Sequence, residues 1–171
     1  MRMKPIAVSV VFFLIGVASG GYLFSRSLPR SFLPTTSCGD DCYSVQELAG
    51  LITSAVVLRA PFLIPGVVLE SDTCLSIRYP RPQARVHYVL FPKRDVKSIA
   101  TLTKDDIRYV VGCFAMVREL VERDNLETYA VSTNGPGDQE IAYLHFHLTS
   151  NERPEPGPLS MGSFRGKLET P

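Results

Sequence analysis

The spacing of hydrophobic and polar positions changes several times along the chain, and each change predicts an element. Pro5 to Ser25 (PIAVSVVFFLIGVASGGYLFS) carries no charge. At about 1.5 Å per residue, roughly 20 such residues cover the ~30 Å hydrocarbon core of a bilayer, so the run predicts a membrane helix. Ser27 to Ser37 has two prolines and no period, as a linker does. Tyr43 to Arg59 repeats apolar residues at helical spacing (Leu48, Leu51, Ile52, Val56), with Ser44 as N-cap, Glu47 three residues later, and Pro61 and Pro65 ending it. From Gly66 the pattern shortens to strands: VVLE, CLSIRY and RVHYVLF, separated by Ser71-Asp72 and Pro80-Arg-Pro82.

A second helix follows. Thr103-Lys-Asp-Asp106 reads as a capping box, and Ile107, Val110, Val111, Phe114, Val117, Leu120 and Val121 form one apolar stripe. Arg108, Arg118, Glu119, Glu122 and Arg123 form the solvated side. Glu127–Thr133 is expected as a strand. The turn Asn134-Gly-Pro-Gly-Asp138 then leads into a last strand, Gln139–Thr149. Strand side chains alternate, so Tyr143, His145 and His147 share one face there, and Leu144, Phe146 and Leu148 the other. These readings divide the chain into a transmembrane or signal-anchor segment (1–26), a linker with a cysteine pair (27–42), an α+β domain built on an antiparallel meander (43–150), and a proline- and glycine-rich tail (151–171).

The amino-terminal run admits a cleaved secretory signal as well, with Ala18-Ser19-Gly20 as the cleavage site; its length favours an uncleaved anchor. Arg2 and Lys4 on one side face Arg26 and Arg30 on the other, and the short leading segment places the amino terminus inside and the domain on the outer, extracytoplasmic side. The Cys38-Gly-Asp-Asp-Cys42 pair suits a local disulfide in an oxidising compartment; zinc, for which only Cys74 and Cys113 remain as further ligands, and free thiols are the alternatives. Cys113, inside the helix, reads as a buried thiol. Neither metal nor cofactor is expected. With 18 basic against 17 acidic residues, the chain lacks the basic excess of a nucleic-acid binder.

Two of only three histidines stand on one strand face, which suggests a site for a phosphate-sized ligand. Ser71-Asp-Thr-Cys-Leu-Ser-Ile77, Pro82-Gln-Ala, His87-Tyr-Val-Leu-Phe-Pro-Lys93, and Asn134 with Gln139 and Tyr-Leu-His-Phe-His together resemble the spaced blocks of the histidine-triad (HIT) superfamily of nucleotide hydrolases and transferases. The likeness runs from about Gly66 to Leu148. It implies a fold of about five antiparallel strands with two helices, here preceded by the transmembrane helix, and pairing into a homodimer. By that resemblance His145 matches the histidine that attacks the α-phosphorus and is transiently nucleotidylated. His147 matches the catalytic-site histidine that helps bind phosphate, and His87 one that supports the site from a neighbouring strand. Asn134 and Gln139 fall where polar groups surround the phosphate, and Tyr143 takes the place of the first histidine of the motif.

The chemistry agrees. A neutral imidazole is a nucleophile, a hydrogen bond at its other nitrogen fixes the tautomer, and covalent catalysis divides one hard displacement into two easier ones. The implied activity is hydrolysis of a nucleotide P–N or P–O–P bond. The anchor extends the expected substrates to a lipid-linked nucleotide such as CDP-diacylglycerol. Tyr143, Tyr79 in place of a ribose-binding aspartate, Asp95 in place of a histidine and a shortened Asn134–Gln139 turn depart from the family pattern. A non-catalytic nucleotide-binding or interaction module on the same fold is therefore the alternative.

Overall fold

The computed structural model describes residues 5–27 and 45–153. Helix α1 (Pro5–Phe24) precedes α2 (Val45–Arg59), and a 3₁₀ turn at Pro61–Leu63 leads into strands β1 (Val67–Glu70), β2 (Cys74–Arg78) and β3 (Val86–Pro92). Two further 3₁₀ turns enter α3 (Ile107–Arg123), and β4 (Ala130–Ser132) and β5 (Phe146–Ser150) complete one antiparallel five-stranded sheet in the order β1-β2-β3-β5-β4. The α+β architecture is the expected one. Central strand β3 is buried along its whole length, the polar His87 included.

Alternation sorts β3 between two cores. Val86, Tyr88 and Leu90 pack with Phe146, Leu148 and the inner side of α3. Val89 and Phe91 face the other way, with Leu75, Tyr143 and Val57 of α2. The capping box before α3 is present, Thr103 and Asp106 bonding reciprocally. The buried side of α3 is Cys113, Met116, Val117 and Leu120. Ile107, Val111 and Phe114, expected on the buried stripe, are about half exposed, while Cys113 on the buried side is seated against β2.

That seat is a disulfide between Cys74 and Cys113, their Cα atoms 5.1 Å apart and 39 residues separated in sequence. It corrects the reading of Cys113 as a thiol. Both cysteines are fully buried. Beside it, α3 approaches the β1–β2 turn so closely that a Cβ on Gly112 would meet Thr73 Oγ1 at 2.0 Å. Cys38, Cys42 and Ser44 lie outside the described residues, as does the tail beyond 153.

Two expected strands are shorter than their sequence pattern. The polypeptide from 133 to 145 leaves the ladder because its main-chain groups bond elsewhere: Ala142 N–H to Gln46 O, Tyr143 N–H to Ile141 O, and Leu144 N–H to Val96 O. The N–H groups of Glu127 and Thr128, before β4, bond to the Glu152 carboxylate.

The expected transmembrane helix also needs correction. Among the described residues no helix is long and apolar enough to cross a membrane. Helix α1 is nevertheless uncharged, with Phe12, Phe13, Leu14 and Ile15 exposed, and its far end rests on α2, where the Arg59 guanidinium lies 4.7 Å from the Tyr22 ring centre.

Candidate active site

The sheet face opposite α3 opens into a cavity of about 450 Å³ lined by His87, His145, His147, Asn134, Tyr79, Gln83 and Phe91, among others. The antiparallel register explains the gathering. Val89 of β3 lies opposite His147 of β5, so His87, two residues earlier on the same face, sits diagonally beside His147. His145 precedes β5 by one residue and stays on the His147 side; the ring centres are 5.0 Å apart. Tyr79 covers the His87 ring at 4.5 Å, and Phe91 flanks His145 at 5.9 Å.

Main-chain groups determine where the imidazole protons reside. His145 Nδ1 is 2.7 Å from the Tyr143 carbonyl oxygen, which only accepts, so Nδ1 carries the proton and donates it. In the neutral ring Nε2 is then left with a free lone pair. The Gln83 N–H donates to His87 Nδ1 at 3.3 Å, so neutral His87 carries its proton on Nε2. That N–H donates to His147 Nδ1 at 3.0 Å, leaving His147 with its own proton on Nε2. The two β5-side rings are thus unlike: His145 offers an electron pair and His147 a donor.

All three rings favour the neutral form. Burial lowers the pKa of His87. Burial also lowers that of His145, against the opposing effects of the Tyr143 carbonyl and the Glu140 carboxylate. His147 falls furthest, to about 4, from burial and then from repulsion by His145 and His87. A nucleophilic imidazole must be unprotonated, so this environment keeps it available through the neutral range.

The structure brings His87, His145, His147 and Asn134 together around one cavity. Gln139 and Tyr143 are not among its lining residues. Gln139 is buried, with its Nε2 lacking a hydrogen-bond partner. Tyr143 is fully buried, and its hydroxyl donates to Pro92 O. Its phenol therefore does not stand in for a ligand-facing imidazole; what Tyr143 gives the site is its carbonyl oxygen. Two lining carboxylates, Asp138 and Glu140, went unassigned in the sequence, although they flank Gln139. The Gln83 amide was equally hidden, because a main-chain donor leaves no mark on residue type. Among the described residues no group of histidine, cysteine and carboxylate side chains could hold a metal ion.

Residues 65–160, more than half of the chain, match the family model described as "Scavenger mRNA decapping enzyme C-term binding". The chain belongs to that family of the histidine-triad superfamily. An uncharacterized HIT-like protein of Synechococcus elongatus is 29% identical over 85 residues, 48% of this chain and 75% of that protein. Mouse adenosine 5'-monophosphoramidase HINT3 is 28% identical over 82 residues, 46% of this chain; the matched part spans 50% of the mouse protein's length. The crystal structure of a HIT family hydrolase from Legionella pneumophila superposes with a TM-score of 0.52 at 27% identity, covering 57% of this chain and 91% of that one. Fold and family thus agree on a histidine-triad hydrolase or nucleotide-binding fold.

Proposed function

We propose that this histidine-triad protein hydrolyses a nucleotide at its α-phosphorus by way of a covalent histidine intermediate. The observation that carries the reading is the tautomer of His145, a residue of the cavity wall: Nδ1–H is engaged by a main-chain carbonyl, and Nε2 keeps its lone pair. Nε2 attacks phosphorus, the P–N or P–O bond breaks, and the leaving group departs with its electron pair and a proton from solvent. Water then cleaves the nucleotidyl-imidazole bond, freeing the nucleotide and restoring neutral His145. His147 Nε2–H donates to a phosphoryl oxygen, and Asn134 contributes its amide from the cavity wall. Tyr79 and Phe91 offer ring faces to a base or leaving group.

No lysine or arginine is among the described residues that line the cavity, whereas Asp138 and Glu140 are. A phosphoryl group here meets neutral donors and two carboxylates. This favours a singly charged phosphoramidate or diester over a polyphosphate. The name of the mouse relative, an adenosine 5'-monophosphoramidase, points the same way. Turnover of adenosine 5'-phosphoramidate by the full chain, followed as AMP release, is expected and is expected to vanish in His145→Asn. Binding of the nucleotide without turnover would instead make the chain a binding module.

The placement of the protein is part of the proposal. The exposed apolar surface of α1 supports attachment to a membrane, where a lipid-linked nucleotide is within reach. The Cys74–Cys113 disulfide supports an oxidising, extracytoplasmic side. Exposed Ile107, Val111 and Phe114 on α3 support pairing of two copies. A carboxy-terminal reporter fusion active only in the cytoplasm would refute the placement, and a monomeric mass by sedimentation the pairing.

A further inference from the structure

Tyr143 occupies an unusual position: three of its polar groups are engaged in the core, and one of them holds the nucleophile. Its N–H donates to Ile141 O at 2.8 Å. Its carbonyl accepts the His145 Nδ1–H at 2.7 Å. Its hydroxyl donates to Pro92 O, at the end of β3, at 2.6 Å. The side chain is completely buried, its ring centre 6.1 Å from that of Phe91, which in turn lies 5.9 Å from His145.

The surrounding backbone makes the hydroxyl bond consequential. Residues 142–144 stand outside the sheet, because β5 begins at Phe146, so no ladder fixes the Tyr143 carbonyl. The flanking N–H groups bond to helix and loop, Ala142 to Gln46 O of α2 and Leu144 to Val96 O. The phenol supplies a rigid strut from this segment to the central strand. A leucine or histidine at this position is shorter and does not span the same distance, and phenylalanine spans it without the donor.

We infer that Tyr143 is a positioning residue whose buried phenol, latched to Pro92 O, holds the main-chain carbonyl that fixes the His145 tautomer. The inference rests on the proposed nucleophilic role of His145, and it gives the tyrosine a part in the site rather than marking the site as lost. Without the latch the carbonyl gains freedom, His145 divides its time between tautomers and ring orientations, and the share with Nε2 free and aimed declines. A misplaced reacting group depresses the chemical step more than ground-state binding.

Tyr143→Phe tests this in the full chain, assayed with adenosine 5'-phosphoramidate at a temperature where circular dichroism shows the variant folded. The expected result is a fall in kcat of about tenfold, with KM within about twofold of wild type. Imidazole ¹⁵N spectra are expected to show His145 as the Nδ1–H tautomer in the wild type and as a mixture in the variant. Wild-type kcat and an unchanged His145 tautomer in Tyr143→Phe would overturn the inference. If the variant does not fold, the wild-type spectrum decides: a slowly exchanging Tyr143 hydroxyl proton supports the latch, and one in fast exchange overturns it. Full activity of His145→Asn would remove the underlying reading instead, so the two failures are distinguishable.

Discussion

Replacing Cys74 and Cys113 together by alanine removes the bridge between β2 and α3 while leaving Cys38 and Cys42 untouched. Alanine is the suitable partner because both sites are fully buried and a serine hydroxyl would lack a partner there. The two cysteines are 39 positions apart in sequence. Chain-entropy reasoning assigns such a loop a loss of about 13 cal/mol/K in the unfolded state, or about 4 kcal/mol at 25 °C. With a urea dependence of about 2 kcal/mol/M, the unfolding midpoint of the double variant should fall by about 2 M under non-reducing conditions. Circular dichroism through a urea series measures it. Reducing agent should lower the wild-type midpoint by a comparable amount and leave the double variant where it is. A double variant within about 0.5 M of the wild type, or Cys74 and Cys113 thiols that react with alkylating agent in the native, unreduced protein, would refute the reasoning.

The cavity and its surroundings give further predictions. His147, held at about pKa 4 in the fold against 6.5 unfolded, contributes stability that is complete above pH 6.5 and lost as pH falls through about 4. The contribution is at most about 3 kcal/mol, so His147→Gln should flatten the acid side of a stability-against-pH curve; an unchanged curve contradicts it. Glu140→Gln removes a carboxylate that raises the His145 pKa, so the acid limb of kcat/KM should move to lower pH, and a move to higher pH would contradict the assignment. Gly112→Ala drives a methyl into Thr73 and should destabilise by about 1–3 kcal/mol, despite the usual gain from alanine in a helix, as thermal unfolding would show.

The sheet and the histidine pair were legible because they rest on side-chain periodicity. RVHYVLF predicted β3, and the alternation around His145 and His147 predicted a shared face that the structure bears out. The rest depended on groups that residue type does not reveal. The shortened histidine strand follows from main-chain bonds to Gln46 and Val96, far away in sequence. The buried side of α3 is the one that carries Cys113 to Cys74, a pairing that sequence spacing does not disclose. Tyr143 is the clearest case. Its side chain reads as a lost imidazole, yet its contribution is a carbonyl, which every residue has, placed by a phenol bound to Pro92. Asp138 and Glu140 face the cavity only because the turn after Asn134 brings them there.

In the proposed reaction His145 Nε2 forms a bond to the α-phosphorus. Mixing the full chain with adenosine 5'-phosphoramidate, quenching within the first turnovers at alkaline pH and reading peptide masses measures this directly. An adenylyl group is expected on the peptide carrying His145, absent from His145→Asn and retained by variants of His87. Turnover with no label on His145, or a label on another residue, would contradict it.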